Sequence, residues 1–127
     1  MKTLPLKILI IEDDPEILNT LNVYLGTMGF DVDVMLNGKE ILKNQFVPPD
    51  LFLIDQRLPD VDGLEICRNL RSKPNYKDIP IIVMSANENI RKQAFDAGAF
   101  DFIAKPFALT ELIKTITRSL EVSGAIH

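Results

Sequence analysis

The chain has 127 residues, of which 46% are hydrophobic and 25% charged, with a formal net charge of -4. That length holds one domain with an ordinary core, and the composition excludes a disordered chain. The charge is spread without a basic run, which argues against nucleic-acid binding by this segment, and no apolar stretch approaches the roughly 20 residues needed to cross a bilayer.

Strand-like runs at 7–11, 31–35, 50–54, 80–84 and 100–103 alternate with helix-like stretches at 14–28, 37–46, 62–72, 87–97 and 109–121. The start, Met1 to Lys7, has no apolar segment separate from the first strand and no small-residue cleavage site, so the expected location is cytoplasmic. Ile8–Ile11 is apolar on both faces, as an inner strand covered by helices should be. The first helix carries Ile17, Leu18, Leu21, Leu25 and Met28 at helical spacing, with Asp14 as its cap, Pro15 in its first turn and Gly29 at its end. Asp31-Val32-Asp33-Val34 alternates and suits an edge strand, whereas 51–54 and 81–84 are apolar throughout. Gly98 ends the fourth helix after Ile90, Ala94 and Ala97. In the last helix Leu109, Leu112, Ile113, Ile116 and Leu120 form the buried stripe, with Lys114 and Arg118 on the wet side. Residues 1–122 read as one domain, and 123–127 as a tail or the start of a linker.

Strict alternation of strand and helix implies an α/β fold with parallel strands and right-handed crossovers. Four of the runs end in polar groups: Glu12-Asp13-Asp14 after ILII, Asp55 after LFLI, Ser85 after IIVM and Lys105 after FIA. Ligands of such sheets bind beyond the carboxyl ends of the strands, where the strand order reverses. In a sheet ordered 2-1-3-4-5 that point lies between strands one and three, and Glu12-Asp13 faces Asp55. Carboxylates this close repel unless a cation is present. The only cysteine is Cys67 and the only histidine His127, so soft ligands for zinc are missing and the ion must be a hard one. Asp13 and Asp55 with a nearby backbone carbonyl suit Mg²⁺. An oxygen of Asp55 can then attack phosphorus, with Lys105 and the ion countering the charge on the equatorial oxygens and Ser85 donating to a third.

These residues, together with D-Q-R-L-P-D-V-D-G at 55–63, Ser85-Ala86 and Lys105-Pro106, resemble the receiver domain of bacterial two-component response regulators over essentially the whole chain. The resemblance implies a flavodoxin-like (βα)5 three-layer sandwich with sheet order 2-1-3-4-5, and Mg²⁺ or Mn²⁺ as cofactor. It implies that Asp55 is the phosphoacceptor, Asp13 a direct metal ligand, Glu12 a partner acting through metal-bound water, and Arg57 the source of a backbone carbonyl for the metal. Ser85 resembles the switch hydroxyl, Phe102 the switch aromatic and Lys105 the phosphoryl-binding ammonium, with a cis bond before Pro106. A histidine kinase or phosphotransfer protein would supply the phosphoryl group, and homodimerisation through the fourth helix, fifth strand and fifth helix would follow phosphorylation. The domain would bind neither nucleic acid nor membrane, and would be no enzyme beyond its own phosphoryl transfer and hydrolysis. The sequence departs from the family pattern in Glu12 for Asp, Ser85 for Thr, Phe102 for Tyr, and Ala108 where a capping Ser or Asp is common; Arg57 and Asn87 stand where the family tunes the lifetime of the acyl phosphate.

Other readings were open. An interaction module with an inert pocket would lack site residues, and none is missing. A phosphohydrolase would place a second acid two residues beyond the nucleophile, where this chain has Arg57. A flavin carrier would not have so acidic a first loop. Residues 58–63 fail as a calcium loop, because Leu58 and Asn69 fill ligand positions. Cys67 reads as core, Asp60 and Asp62 as loop and cap residues, and Arg68, Arg71, Lys73 and Lys77 as a solvated basic face.

Overall fold

The computed structural model describes residues 5–126. The leaderless reading of Met1 to Leu4 and the end of the tail at His127 lie outside them. Strands β1 (Lys7–Ile11), β2 (Asp31–Met35), β3 (Leu51–Asp55), β4 (Ile81–Ser85) and β5 (Asp101–Ala104) form one parallel sheet in the order β2-β1-β3-β4-β5. Between and after them run α1 (Pro15–Thr27), α2 (Gly38–Leu42), α3 (Gly63–Arg71), α4 (Arg91–Asp96, entered through a 3-10 turn at Glu88–Ile90) and α5 (Leu109–Ser123). This is the flavodoxin-like arrangement.

The inner strands bury both faces because alternate residues point to opposite sides. Ile8, Ile10, Leu51, Leu53, Ile82, Met84 and Ile103 join Leu18, Leu21 and Leu25 of α1 and Leu112, Ile116 and Leu120 of α5 in one layer. Leu9, Ile11, Phe52, Ile54, Ile81, Val83 and Phe102 face the other, against Ile41, Ile66, Cys67, Leu70 and Ala94 of α2, α3 and α4. At the edge, β2 buries none of its residues fully, and Lys7 pairs with Asp33 at 3.2 Å.

Sequence and structure differ at identifiable places. The α2 helix stops at Leu42 instead of running to 46, and Asn44 adopts a left-handed φ of 55°. The cause is tertiary. Phe46 leaves the helix to stack on Tyr76 at 4.7 Å and to meet Phe52 edge-on at 5.9 Å, while the Tyr76 hydroxyl donates to the carbonyls of Asn44 and Phe46. Met28, placed in the apolar stripe of α1, caps that helix and is half exposed. Arg71 is no solvated cation: its guanidinium donates to the carbonyls of Gly98, Lys77 and Ile79, tying α3 to the loops that lead into β5 and β4. At the C-terminus, Gly124 takes φ 87°, Ala125 and Ile126 donate back to the Leu120 carbonyl, and both pack onto the layer of α1 and α5. No helix among the described residues is long and apolar enough to cross a membrane.

Candidate functional site

The carboxyl ends of β1, β3, β4 and β5 surround a cavity of about 600 Å³, whose lining includes Glu12, Asp13, Asp55, Arg57, Ser85, Asn87 and Lys105. Each wall has a local cause. Asp14 caps α1, accepting from the amides of Glu16 (2.9 Å) and Ile17 (3.5 Å), so the short link before it holds Glu12 and Asp13 at the end of β1. Asp55 and Ser85 are the last residues of β3 and β4, so each strand delivers its side chain at the edge. Opposite them, the Lys105 amide donates to the Ser85 carbonyl at 2.9 Å, continuing the pairing of β4 and β5 for one step. The Lys105–Pro106 bond is cis.

Close packing behind Asp55 depends on one glycine. A Cβ at Gly63 would lie 2.4 Å from the Asp55 carbonyl oxygen and 2.8 Å from Gln56 Cα. Only glycine lets the start of α3 come this near, and the Gly63 amide then donates to the Gln56 carbonyl at 2.8 Å. The Asp62 side chain caps α3 through the Leu64 amide at 2.8 Å.

At the centre, Lys105 Nζ donates to Glu12 Oε1 at 2.6 Å and lies 3.0 Å from Asp55 Oδ1. Glu12 is 1% exposed and Asp55 5%. Burial pushes the Glu12 carboxyl up to about 7, with the Asp55 charge adding to the rise and the Lys105 hydrogen bond opposing it. For Lys105, burial works downward, but the hydrogen bonds and charges of Glu12 and Asp55 outweigh it and raise the ammonium above its ordinary value. One carboxylate oxygen from each of Glu12, Asp13 and Asp55 lies within 4.8 Å of the others. Three hard oxygen donors in a mutually repelling cluster, with Glu12 and Asp55 buried and Asp13 open to solvent, fit a divalent cation such as Mg²⁺.

Phe102 does not line the cavity. It lies buried on the α3 and α4 side of β5, with the Arg91 guanidinium 4.8 Å above its ring. Among the cap residues, Ala108 starts α5 without any side-chain bond. Gln56 and Arg91 carry no role in the sequence reading, and Asp60 is expected there only as a loop or cap residue. Gln56 accepts from the Ser85 hydroxyl at 3.2 Å and donates to Asp62 at 3.1 Å. Asp60 accepts from the amides of Gly38 and Lys39, each at 2.9 Å, capping α2 from across the sheet edge. Arg91 covers Phe102. Their partners are distant in the chain, so no local spacing marks them.

The family described as response regulator receiver domain matches residues 8–117. The chain belongs to this family. The receiver domain is 37% identical over 117 residues to the phosphate regulon transcriptional regulatory protein PhoB of Rhizobium meliloti (strain 1021), a match covering 90% of this chain and 52% of that protein. It is 36% identical over 126 residues to the DNA-binding dual master transcriptional regulator RpaA of Synechocystis sp. (strain ATCC 27184 / PCC 6803 / Kazusa), covering 94% and 51%. The chain thus spans about half the length of the curated relatives it matches. Among solved structures, the receiver domain of the sensor histidine kinase PA1611 from Pseudomonas aeruginosa PAO1, with a magnesium ion coordinated in its active-site cleft, superposes with a TM-score of 0.84 at 30% identity, covering 91% of this chain and 98% of that one. Phosphorylation-activated switching in two-component signalling is the function of this family, and a phosphorylated aspartate and Mg²⁺ are family properties.

Proposed function

We propose that Asp55 of this receiver domain accepts a phosphoryl group from a histidine kinase or phosphotransfer protein, and that the modified site remodels the face made by α4, β5 and α5. The observation that carries this reading is the convergence of Lys105 on Glu12 and Asp55, with contacts of 2.6 and 3.0 Å. It joins the ends of β1, β3 and β5 around one cationic point. Asp13 and Asp55 would hold Mg²⁺, or Mn²⁺, directly, with Glu12 beside them and the Arg57 carbonyl completing the set. Held there, such an ion would supply charge screening of the carboxylates toward an anionic donor. One Asp55 oxygen forms the new bond to phosphorus, the bond from phosphorus to the donor nitrogen breaks, and its electron pair leaves with the donor. Lys105 and the Ser85 hydroxyl meet the charge on the transferred oxygens. Hydrolysis of the resulting acyl phosphate by water in the same site returns the domain to rest.

Phosphorylation adds about -1.5 to -2 charge and three strong acceptors. Ser85 is drawn toward them, leaving space that the Phe102 ring can fill only by giving up its stack with Arg91. Reversing the populations from 1:99 to 99:1 takes about 5.5 kcal/mol of differential stabilisation. The exposed side of that face then pairs with a second copy. The domain proper covers residues 1–122 and works in the cytoplasm, and in a whole protein of about twice this length it would govern an output such as DNA binding. Incubation with Mg²⁺ and a small acyl-phosphate donor tests the core of this reading. Intact mass should rise by one phosphoryl group, and Asp55→Asn should show no gain; equal gain in both proteins would refute it.

A further inference from the structure

The Ser85 hydroxyl already has an acceptor. Its Oγ receives the Asn87 amide proton at 3.0 Å and donates its own proton to Gln56 Oε1 at 3.2 Å. The polarity of this bond is fixed from the far end. Gln56 Nε2 donates to Asp62 Oδ2 at 3.1 Å, and a carboxylate can only accept, so the amide nitrogen faces Asp62 and the amide oxygen faces Ser85. The result is a directed chain: Asn87 amide to Ser85 hydroxyl to Gln56 side chain to Asp62, the residue that caps α3.

Gln56 is held rigidly enough to act as a fixed acceptor. Its amide donates to the Met84 carbonyl at 2.8 Å and its carbonyl accepts from Gly63 at 2.8 Å. The glutamine is therefore bonded through backbone and side chain to β4 and to the start of α3, next to Asp55 in sequence. Yet it does not line the cavity that Asp55, Ser85 and Lys105 share. Its acceptor lies outside that space, and draws the hydroxyl proton toward itself.

We propose that Gln56 is a positioning residue that holds the Ser85 hydroxyl away from Asp55 until a phosphoryl group arrives. This rests on the reading of Asp55 as phosphoacceptor and adds a competitor to it. A hydroxyl has one proton. Donated to Gln56, it is withheld from a phosphoryl oxygen; a charged oxygen is the stronger acceptor and takes it when present. The switch then begins as an exchange of acceptors, from a neutral amide to an anion. The freed Gln56 amide remains tied to Asp62, so the event is also felt at the cap of α3.

Beryllofluoride, which with Mg²⁺ occupies an aspartate carboxylate as a phosphoryl group does, provides the measurement. Gln56→Met removes the acceptor at similar size, and should tighten beryllofluoride binding by about fivefold, the factor of one ordinary neutral hydrogen bond. Mg²⁺ affinity measured alone should stay the same. In a Ser85→Ala background the gain should vanish, because the effect passes through that hydroxyl. No tightening, or tightening that persists without the hydroxyl, overturns the proposal. Unmodified protein supplies a second readout should the methionine variant fail to fold: its Gln56 side-chain amide and Asn87 backbone amide resonances should both shift on adding beryllofluoride, and Gln56 should stay put in Ser85→Ala. A Gln56 amide that does not respond in the unmodified protein also overturns it. If that protein binds no beryllofluoride, the Asp55 reading falls and takes this inference with it, whereas contrary results confined to Gln56 leave Asp55 intact.

Discussion

Lys105 reaches Glu12 across 93 residues of sequence, its Nζ 2.6 Å from a carboxylate that is almost wholly out of solvent. The pair is the electrostatic keystone of the acidic edge, because the same ammonium also lies 3.0 Å from Asp55. Removing it leaves two buried carboxylates facing each other with no compensating charge. Lys105→Met should lower unfolding free energy by about 3 kcal/mol in metal-free buffer, the low end for breaking a buried pair because Glu12 can take up a proton. Mg²⁺ should restore part of the loss. Urea unfolding with and without the ion checks both statements.

Protonation of Glu12 sets a pH window for the ion. Folded, this carboxyl is raised from 4.5 to about 7 by burial first and the Asp55 charge second. The folded chain therefore binds more protons than the unfolded chain between those values. The contribution of Glu12 to stability is full below the lower value and is lost as pH rises through the upper one. Cation binding runs the other way, since it needs the carboxylate. Mg²⁺ affinity should be about tenfold weaker near pH 6 than near pH 8, with the change centred on the Glu12 value. Calorimetric titration at several pH values measures it, and Glu12→Gln should flatten the profile.

Cys67 lies at 0% exposure in the layer of α2, α3 and α4, and burial pushes its thiol up to about 12. A thiol held neutral and out of reach should not react with an aromatic disulfide reagent near pH 8 until the chain is unfolded. Cys67→Ser should destabilise by about 2 kcal/mol, because a hydroxyl there is buried without a designed partner. Thiol titration and thermal unfolding report the two effects.

Gly63 and Gly26 form a matched pair of alanine substitutions. The Cβ of Gly63→Ala meets the Asp55 carbonyl, which cannot yield without moving the site, and a loss of about 3 kcal/mol is expected. Gly26 lies inside α1 with nothing within 4 Å of a new Cβ, so Gly26→Ala should gain about 0.5–1 kcal/mol. Chemical denaturation of both variants distinguishes close approach from helix propensity.

Asp60→Ala should shorten or loosen α2 while leaving the sheet intact, since Asp60 satisfies the amides of Gly38 and Lys39. Faster amide exchange confined to residues 38–42 and the 57–61 loop is the expected signature; unchanged exchange there would show that Asn37 caps the helix unaided.

What the residues alone determined was the order of elements and the chemistry at their ends. Apolar runs of four or five with no alternation require cover on both faces, and strict strand–helix succession leaves a parallel sheet as the arrangement. From that, Glu12, Asp13, Asp55, Ser85 and Lys105 fall at one edge, because each follows or ends a strand pointing the same way. Only the folded chain decided how those groups share protons and charge. The length of α2 was set by Tyr76 capturing Phe46, the role of Arg71 by carbonyls on two other loops, and the partner of Ser85 by a glutamine that lies in the 55–63 motif but had no role assigned from it. Periodicity is a property of neighbours in sequence and survives in the letters. Hydrogen-bond pairing between Gln56 and Ser85, 29 residues apart, depends on ångström-scale placement of two strand ends, which the packing of α3 through Gly63 supplies.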